Sequence, residues 1–228
     1  MCYLQSNCKK YKNGKCNEEE FCIRKYKEDR IFDIGLIDES QRIFPAVVNA
    51  PIDPQGYKDL IYTYIPTIEK DIVQYVKDGW NMFFYSSMCG NGKTMSALKI
   101  CKAYVDKVWV ESDVTSCRVL FISVPRFLLE LKANISKKSD YIEHIYKYVL
   151  DADLVVWDDI GSKCGTEFEI ENMLSLINTR IDTNKSNIYT SNIGPNELES
   201  VLGKRLASRI GMSNITLQFT GYDKRGVR

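Results

Sequence analysis

The stretch Ser87-Met88-Cys89-Gly90-Asn91-Gly92-Lys93-Thr94 decides how the rest of this chain is read. It follows an apolar run, NMFFYS at 81–86, and precedes a helical pattern, MSALKICKAYV at 95–105. A strand, a glycine-rich turn and a helix in that order suit a phosphate-binding loop. Glycines let backbone N–H groups point inward, the lysine reaches the β/γ-phosphates, and the hydroxyl serves Mg²⁺. Gly90, Gly92, Lys93 and Thr94 supply those parts. Ser87 stands where the pattern has its first glycine, which strains the turn if that residue must take positive φ. The bland alternative is a plain strand-to-helix turn with an exposed lysine.

Outward from this turn, strand and helix signals alternate. Strand patterns fall at 118–124, 152–159, 186–192 and 214–221, with helical patterns at 127–134, 141–150, 167–183 and 196–210 between them. Upstream, Pro66 opens a helix whose Ile68, Ile72, Val73 and Val76 share one face, and Gly79 stops it. Residues 42–57 hold three of the six prolines and read as loop. The expectation is an α/β fold with a mainly parallel sheet covered on both faces.

Three further features bear on chemistry. Leu154-Val155-Val156-Trp157 ends in Asp158 and Asp159, so a buried parallel strand delivers two carboxylates beside the phosphate loop. Asp158 is placed to hold Mg²⁺ through water and Asp159 to polarise the attacking water. The strand at 186–192 ends in Thr190, Ser191 and Asn192, and an amide there can orient that water; alternatively Asn192 merely begins a turn. Arg205 and Arg209 lie four apart on one helical face, either solvated or with one member reaching a neighbour's γ-phosphate.

In this order, CGNGKT at 89–94, VVWDDIG at 155–161, INTRIDTNKSNIYTSNI at 177–193, LGKRLASRI at 202–210 and GYDKR at 221–225 resemble the helicase-loader branch of AAA+ ATPases. This is the DnaC/DnaI type, IstB-like, which includes phage-encoded replication proteins and an ATPase subunit of some transposons. The resemblance implies an AAA+ P-loop core with a five-stranded parallel sheet and little or no C-terminal lid. It makes Lys93 and Thr94 the Walker A residues, Asp158 and Asp159 the Walker B pair, Asn192 sensor 1, Arg209 a finger acting in trans and Arg225 the sensor 2 candidate. ATP is expected to lie along Cys89, Gly90, Asn91, Gly92, Lys93, Thr94 and Met95, with Mg²⁺ at Thr94 and Asp158. The implied partners are a DnaB-type replicative helicase, single-stranded DNA and further copies of the chain when ATP is bound. The second aspartate, in place of the glutamate of most AAA+ motors, suggests slow, switch-like turnover. Two rivals stay open: an ATPase that regulates a transposase, and a small-molecule P-loop kinase.

Composition sets the boundaries of this reading. The chain has 228 residues, with 31 basic against 30 acidic, and neither a membrane-length apolar run nor a signal peptide at its start, so a cytoplasmic protein with no membrane partner is expected. Near-neutrality argues against a uniformly basic nucleic-acid coat, but the neutrality is a cancellation. Eight basic residues face five acidic ones in 1–30, and six face Asp223 alone in 201–228. Four of the eight cysteines, Cys2, Cys8, Cys16 and Cys22, crowd the first 22 residues as C-x5-C-x7-C-x5-C. Stable disulfides are disfavoured inside cells, and four thiolates suit tetrahedral Zn²⁺, with an Fe–S cluster possible on ligand type alone. DnaI-type loaders are similar in having a small zinc-binding domain that docks on the helicase. A Cys-rich metal-binding module at 1–35 and an ATPase domain at 36–228 are therefore expected. His144, the only histidine, reads as a helix residue without chemistry.

Overall fold

The computed structural model describes residues 8, 10–16, 22–42, 61–109, 113–163, 165–220 and 223. Five strands form one parallel sheet: β3 (Asn81–Tyr85), β4 (Val119–Ser123), β5 (Leu154–Asp158), β6 (Ser186–Ser191) and β7 (Ile215–Gln218), in the spatial order β4-β5-β6-β3-β7. Before them come a two-residue hairpin, β1 (Tyr11–Lys12) with β2 (Lys15–Cys16), and the helices α1 (Ile23–Ile34), α2 (Glu39–Arg42) and α3 (Ile61–Lys77). The remaining helices are α4 (Lys93–Val108), α5 (Val124–Ala133), α6 (Asp140–Tyr148), α7 (Glu167–Asp182) and α8 (Pro195–Gly211). This is the α/β core of AAA+ type that the motif order implies.

Strand alternation builds two cores. Met82, Phe84, Val119, Phe121, Val156 and Ile188 point to the face covered by α1, α3 and α4. Phe83, Leu120, Ile122, Val155, Trp157 and Tyr189 point to the face covered by α5, α6, α7 and α8. Both faces are covered by helices, so β3, β4 and β5 read as continuous apolar runs rather than alternating ones. Trp157 and Phe127 meet edge to face at 6.4 Å between centroids. A capping box, Thr166 with Glu169, fixes the start of α7.

Three expectations change. Helix α3 starts at Ile61, with Pro66 inside it rather than opening it. A proline in that position forgoes one backbone bond, and burial of Ile65, Ile68 and Ile72 outweighs the loss. Helix α8 is two helices joined at Gly203, whose φ of 75° and ψ of 157° are non-helical. Arg205 and Arg209 both follow the break, so their shared face survives. Third, α1 lies within the stretch expected to form the N-terminal module, yet Ile31 and Phe32 are fully buried in the sheet's core and Phe121 N–H donates to Gly35 O at 2.8 Å. In packing terms α1 belongs with the ATPase core.

The N-terminal hairpin turns at Asn13 and Gly14, both at positive φ (53° and 77°), the signature of a tight two-residue turn. Cys22 Sγ caps α1 by accepting from Lys25 N–H at 3.4 Å, and Cys16 is exposed. Among the described residues no group of three or more Cys, His, Asp or Glu is gathered as a metal site, and Cys2 lies outside them. None of the described helices is long and apolar enough to cross a membrane. His144 is structural: its Nε2 lies 2.6 Å from Ile34 O and its ring against Tyr148.

Candidate active site

Strand β3 is central in the sheet, between β6 and β7, so the turn after it opens at the carboxyl edge between β6 and α4. The positive φ values of that turn fall on Gly90 (73°) and Gly92 (102°), and Ser87 is not among the positive-φ residues. The glycine missing from the motif is therefore not needed at position 87. At Gly90 a side chain would also collide with the Asp223 carboxylate, 1.7 Å from an ideal Cβ.

Asn91, buried, ties the loop together. Its Nδ2 donates to Ser86 Oγ at 2.6 Å and to Phe219 O at 3.1 Å, so the segment after β7 is fastened to the loop. Lys93 Nζ donates to Met88 O at 2.9 Å and to Asn91 Oδ1 at 3.3 Å. Its ammonium is thus held inside the ring of backbone that would surround a phosphate.

The two acids stand where the parallel strand delivers them. Thr94 and Thr190 hydroxyls both donate to Asp158 Oδ1, at 2.8 and 2.7 Å. Burial pushes the Asp158 carboxyl above the usual carboxylate range, while these two hydroxyls pull it back; the Asp159 charge adds to the rise and the Lys93 charge opposes it. Asp159 has φ of 60°, a conformation that Asp and Asn tolerate better than Glu. An aspartate at this position suits the backbone as well as the chemistry. Asn192 Nδ2 donates to Asp159 Oδ1 at 2.6 Å, and Cys89 Sγ lies 3.8 Å from Asn192 Oδ1.

A cavity of about 390 Å³ opens over these groups, lined by Gly90 through Met95, Asp158, Asp159, Thr190 and Asn192. The loop, both acids and the amide, expected from separate stretches of sequence, therefore meet at one place. Cys89 sits at its edge. A hydroxyl bonded to a carboxylate beside an open cavity fits a hard divalent cation that keeps several waters, so Thr94 and Asp158 suit Mg²⁺. Arg209 is half-buried on the last turn of α8, does not line the cavity, and has no ion-pair partner among the described residues. Arg205 is engaged by Glu171 at 3.2 Å. Arg225 lies outside the described residues.

Sequence reading left Thr190 and Ser86 without roles. The available signal was that the strand Ser186-Asn187-Ile188-Tyr189-Thr190-Ser191 is central yet mostly polar; every one of these residues is buried.

A phosphate loop after a strand that sits between β6 and β7, with the acids on the strand beyond β6, defines the class: a P-loop ATPase of AAA+ type. The bacterial DnaA ATPase domain family matches residues 65–216, more than half of the chain, and the chain belongs to that family of ATPases. A search of curated proteins finds no significant match. Among solved structures, the DnaC helicase loader is similar with a TM-score of 0.63 and 21% identity, over 80% of this chain and 99% of that one. DnaI is similar at 0.59 and 19%, over 72% and 87%. The replication initiator DnaA, bound to AMPPCP and single-stranded DNA, is similar at 0.56 and 19%, over 74% and 50%. At these identities the likeness concerns the fold.

Proposed function

We propose that this ATPase is a helicase loader of phage or bacterial replication, which grips a DnaB-type helicase, engages single-stranded DNA and assembles with ATP. The observation that carries the reading is the joint one. The Lys93, Asp158, Asp159 and Asn192 cluster sits on a core whose match to the solved DnaC loader chain covers nearly all of that chain.

In this reading the backbone N–H groups of 90–93 and the Lys93 ammonium bind the ATP phosphates. Thr94 and Asp158 would hold Mg²⁺, which would supply positive charge against the phosphates. Asp159 accepts a proton from the attacking water. The bond from Asn192 keeps that carboxylate aimed, and its amide would help orient the same water. Arg209 of one protomer contacts the γ-phosphate bound to the next. Its lack of a partner within the described chain, beside an engaged Arg205, favours it over Arg205. Arg225 would act as sensor 2, and the basic residues after 200 would meet DNA phosphates. Cys2, Cys8, Cys16 and Cys22 would hold zinc in the module that docks on the helicase. A sulfur that accepts a backbone N–H, as at Cys22, is compatible with a thiolate ligand.

The test is pull-down of a DnaB-type helicase with and without ATP, using protein whose zinc content is measured. ATP-dependent capture supports the loader; capture of a transposase instead assigns the chain to transposition. Within the same experiment, Arg209→Ala is expected to lower ATPase and oligomer formation by about 10²- to 10³-fold in rate while ATP affinity stays unchanged. Normal turnover of that variant at every protein concentration would sink the trans finger.

A further inference from the structure

We propose that Thr190 is the positioning residue of this ATPase, setting both acids at once. The inference rests on the assignment of Asp158 and Asp159 above.

Thr190 lies one residue before the end of β6, on the strand between the acids' strand and the strand that leads into the phosphate loop. It is 1% exposed, so its polar groups must find partners within the protein. A threonine hydroxyl has one proton to give and lone pairs to receive. Here it donates to Asp158 Oδ1 at 2.7 Å and accepts from Asp159 N–H at 2.9 Å. The Thr190 carbonyl accepts from Ile160 N–H at 2.8 Å. One residue therefore grips three consecutive positions through three separate bonds.

The middle of those positions is the one that needs holding. Asp159 sits at φ of 60°, outside the region an L-residue prefers, and the strand's regular pairing has ended before it. Its N–H has no strand partner to satisfy it. The Thr190 hydroxyl supplies that partner and, with the same oxygen, fixes the Asp158 carboxylate against Thr94. Thr190 also lines the cavity, so the grip is made at the reacting edge. Asn192, two residues on, faces the same edge and bonds the Asp159 carboxylate at 2.6 Å. Thr190 sets the Asp159 backbone and Asn192 sets its side chain. Valine has the same shape and cannot do this, since it would take the acceptor from the partly buried Asp159 N–H and one donor from the partly buried Asp158 carboxylate.

The experiment compares T190V, T190A and T190S with wild-type protein for ATP affinity, kcat, half-saturating Mg²⁺ and thermal unfolding. T190V and T190A are expected to lower kcat by about 10- to 100-fold and to raise half-saturating Mg²⁺. ATP affinity should stay within about threefold, because the loop that holds the phosphates is untouched. T190S keeps the hydroxyl and should restore kcat to within about threefold of wild type. Wild-type kcat in T190V overturns the proposal. So does parallel loss of ATP affinity, kcat and thermal stability in all three variants, which is what a merely structural residue would give. D158N and D159N separate this failure from that of the underlying assignment. If both keep wild-type turnover, the acids are misassigned. If both lose it while T190V does not, only the Thr190 grip is wrong.

Discussion

The two ends of the sheet both bury polar groups, and they use them differently. At the carboxyl edge, side chains bond one another: Thr94 and Thr190 to Asp158, Asn192 to Asp159, Asn91 to Ser86. A cavity stays open over them. At the opposite edge, Arg180 is fully buried with its donors given to the Val149, Ala152 and Ser186 carbonyls and to Asn187 Oδ1. Asn187 in turn accepts from Trp157 Nε1 at 3.0 Å and donates to Asn81 Oδ1 at 2.8 Å. These bonds close the loop ends that a parallel sheet leaves at its starting edge. Burial of a charge is thus no sign of chemistry by itself. What separates the ends is whether the polar atoms converge on open space or on backbone.

The largest expected effect tests the reactive end. Asp159→Asn should lower single-turnover hydrolysis by about 10²- to 10³-fold while ATP affinity is kept. Asparagine tolerates the positive φ as well as aspartate does, so the substitution changes the carboxylate and spares the backbone. Loss of ATP affinity to the same degree would show that the acid belongs to binding rather than to hydrolysis.

Next comes the opposite end. Arg180→Met should cost about 3 kcal/mol or more of unfolding free energy, since four buried acceptors each lose one donor, with Asn187 Oδ1 keeping another from Trp157. Hydrolysis measured well below the unfolding midpoint should be unchanged. A variant that stays stable but turns over slowly would break the comparison outright.

The smallest effect concerns Glu28, also far from the cavity, where α1 meets the last turns of α4. Its side chain is fully buried and Arg24 donates to its Oε1 at 2.9 Å, while Oε2 has no hydrogen-bond partner among the described residues. Burial, with the Asp106 charge adding to it, pushes its carboxyl up to about 7 against the pull of Arg24 and Lys102. Between about pH 4.5 and 7 the folded chain holds a proton that the unfolded chain has released, so stability falls as pH rises through that window. Denaturant titrations should show a decline of about 1 to 3 kcal/mol from this group, flattened in Glu28→Gln. An identical slope in that variant would place the proton elsewhere.

Most of the site was legible in the sequence because its parts are local or lie at strand ends. Gly90 to Thr94 declare themselves by order and type, and two acids after four apolar residues, in a chain of alternating strand and helix signals, fit the end of a buried strand. Arg209 could be placed on a helical face, but the break at Gly203 was invisible, because a lone glycine inside a helical pattern is usually tolerated. The N-terminal segment was misleading in a different way. Its cysteines drew attention, while Ile31, Phe32 and Ile34, which bind α1 to the core, stand at the end of a helix whose earlier turns are mostly charged.

What the sequence determined by itself is the chemistry on offer: a phosphate loop, a pair of carboxylates, an amide and a set of apolar strands. The tertiary structure alone decided which polar residues serve it. Thr190 and Asn187 are polar residues toward opposite ends of the same buried strand, and the residues near them in sequence do not say which partners they bond. Parallel pairing puts Thr190 at the edge where three strands end beside the loop, and Asn187 at the edge where Arg180 and Trp157 close on it. Hydrogen-bond partners separated by 30 residues or more are fixed by strand register, and register follows from burying both faces of the sheet at once.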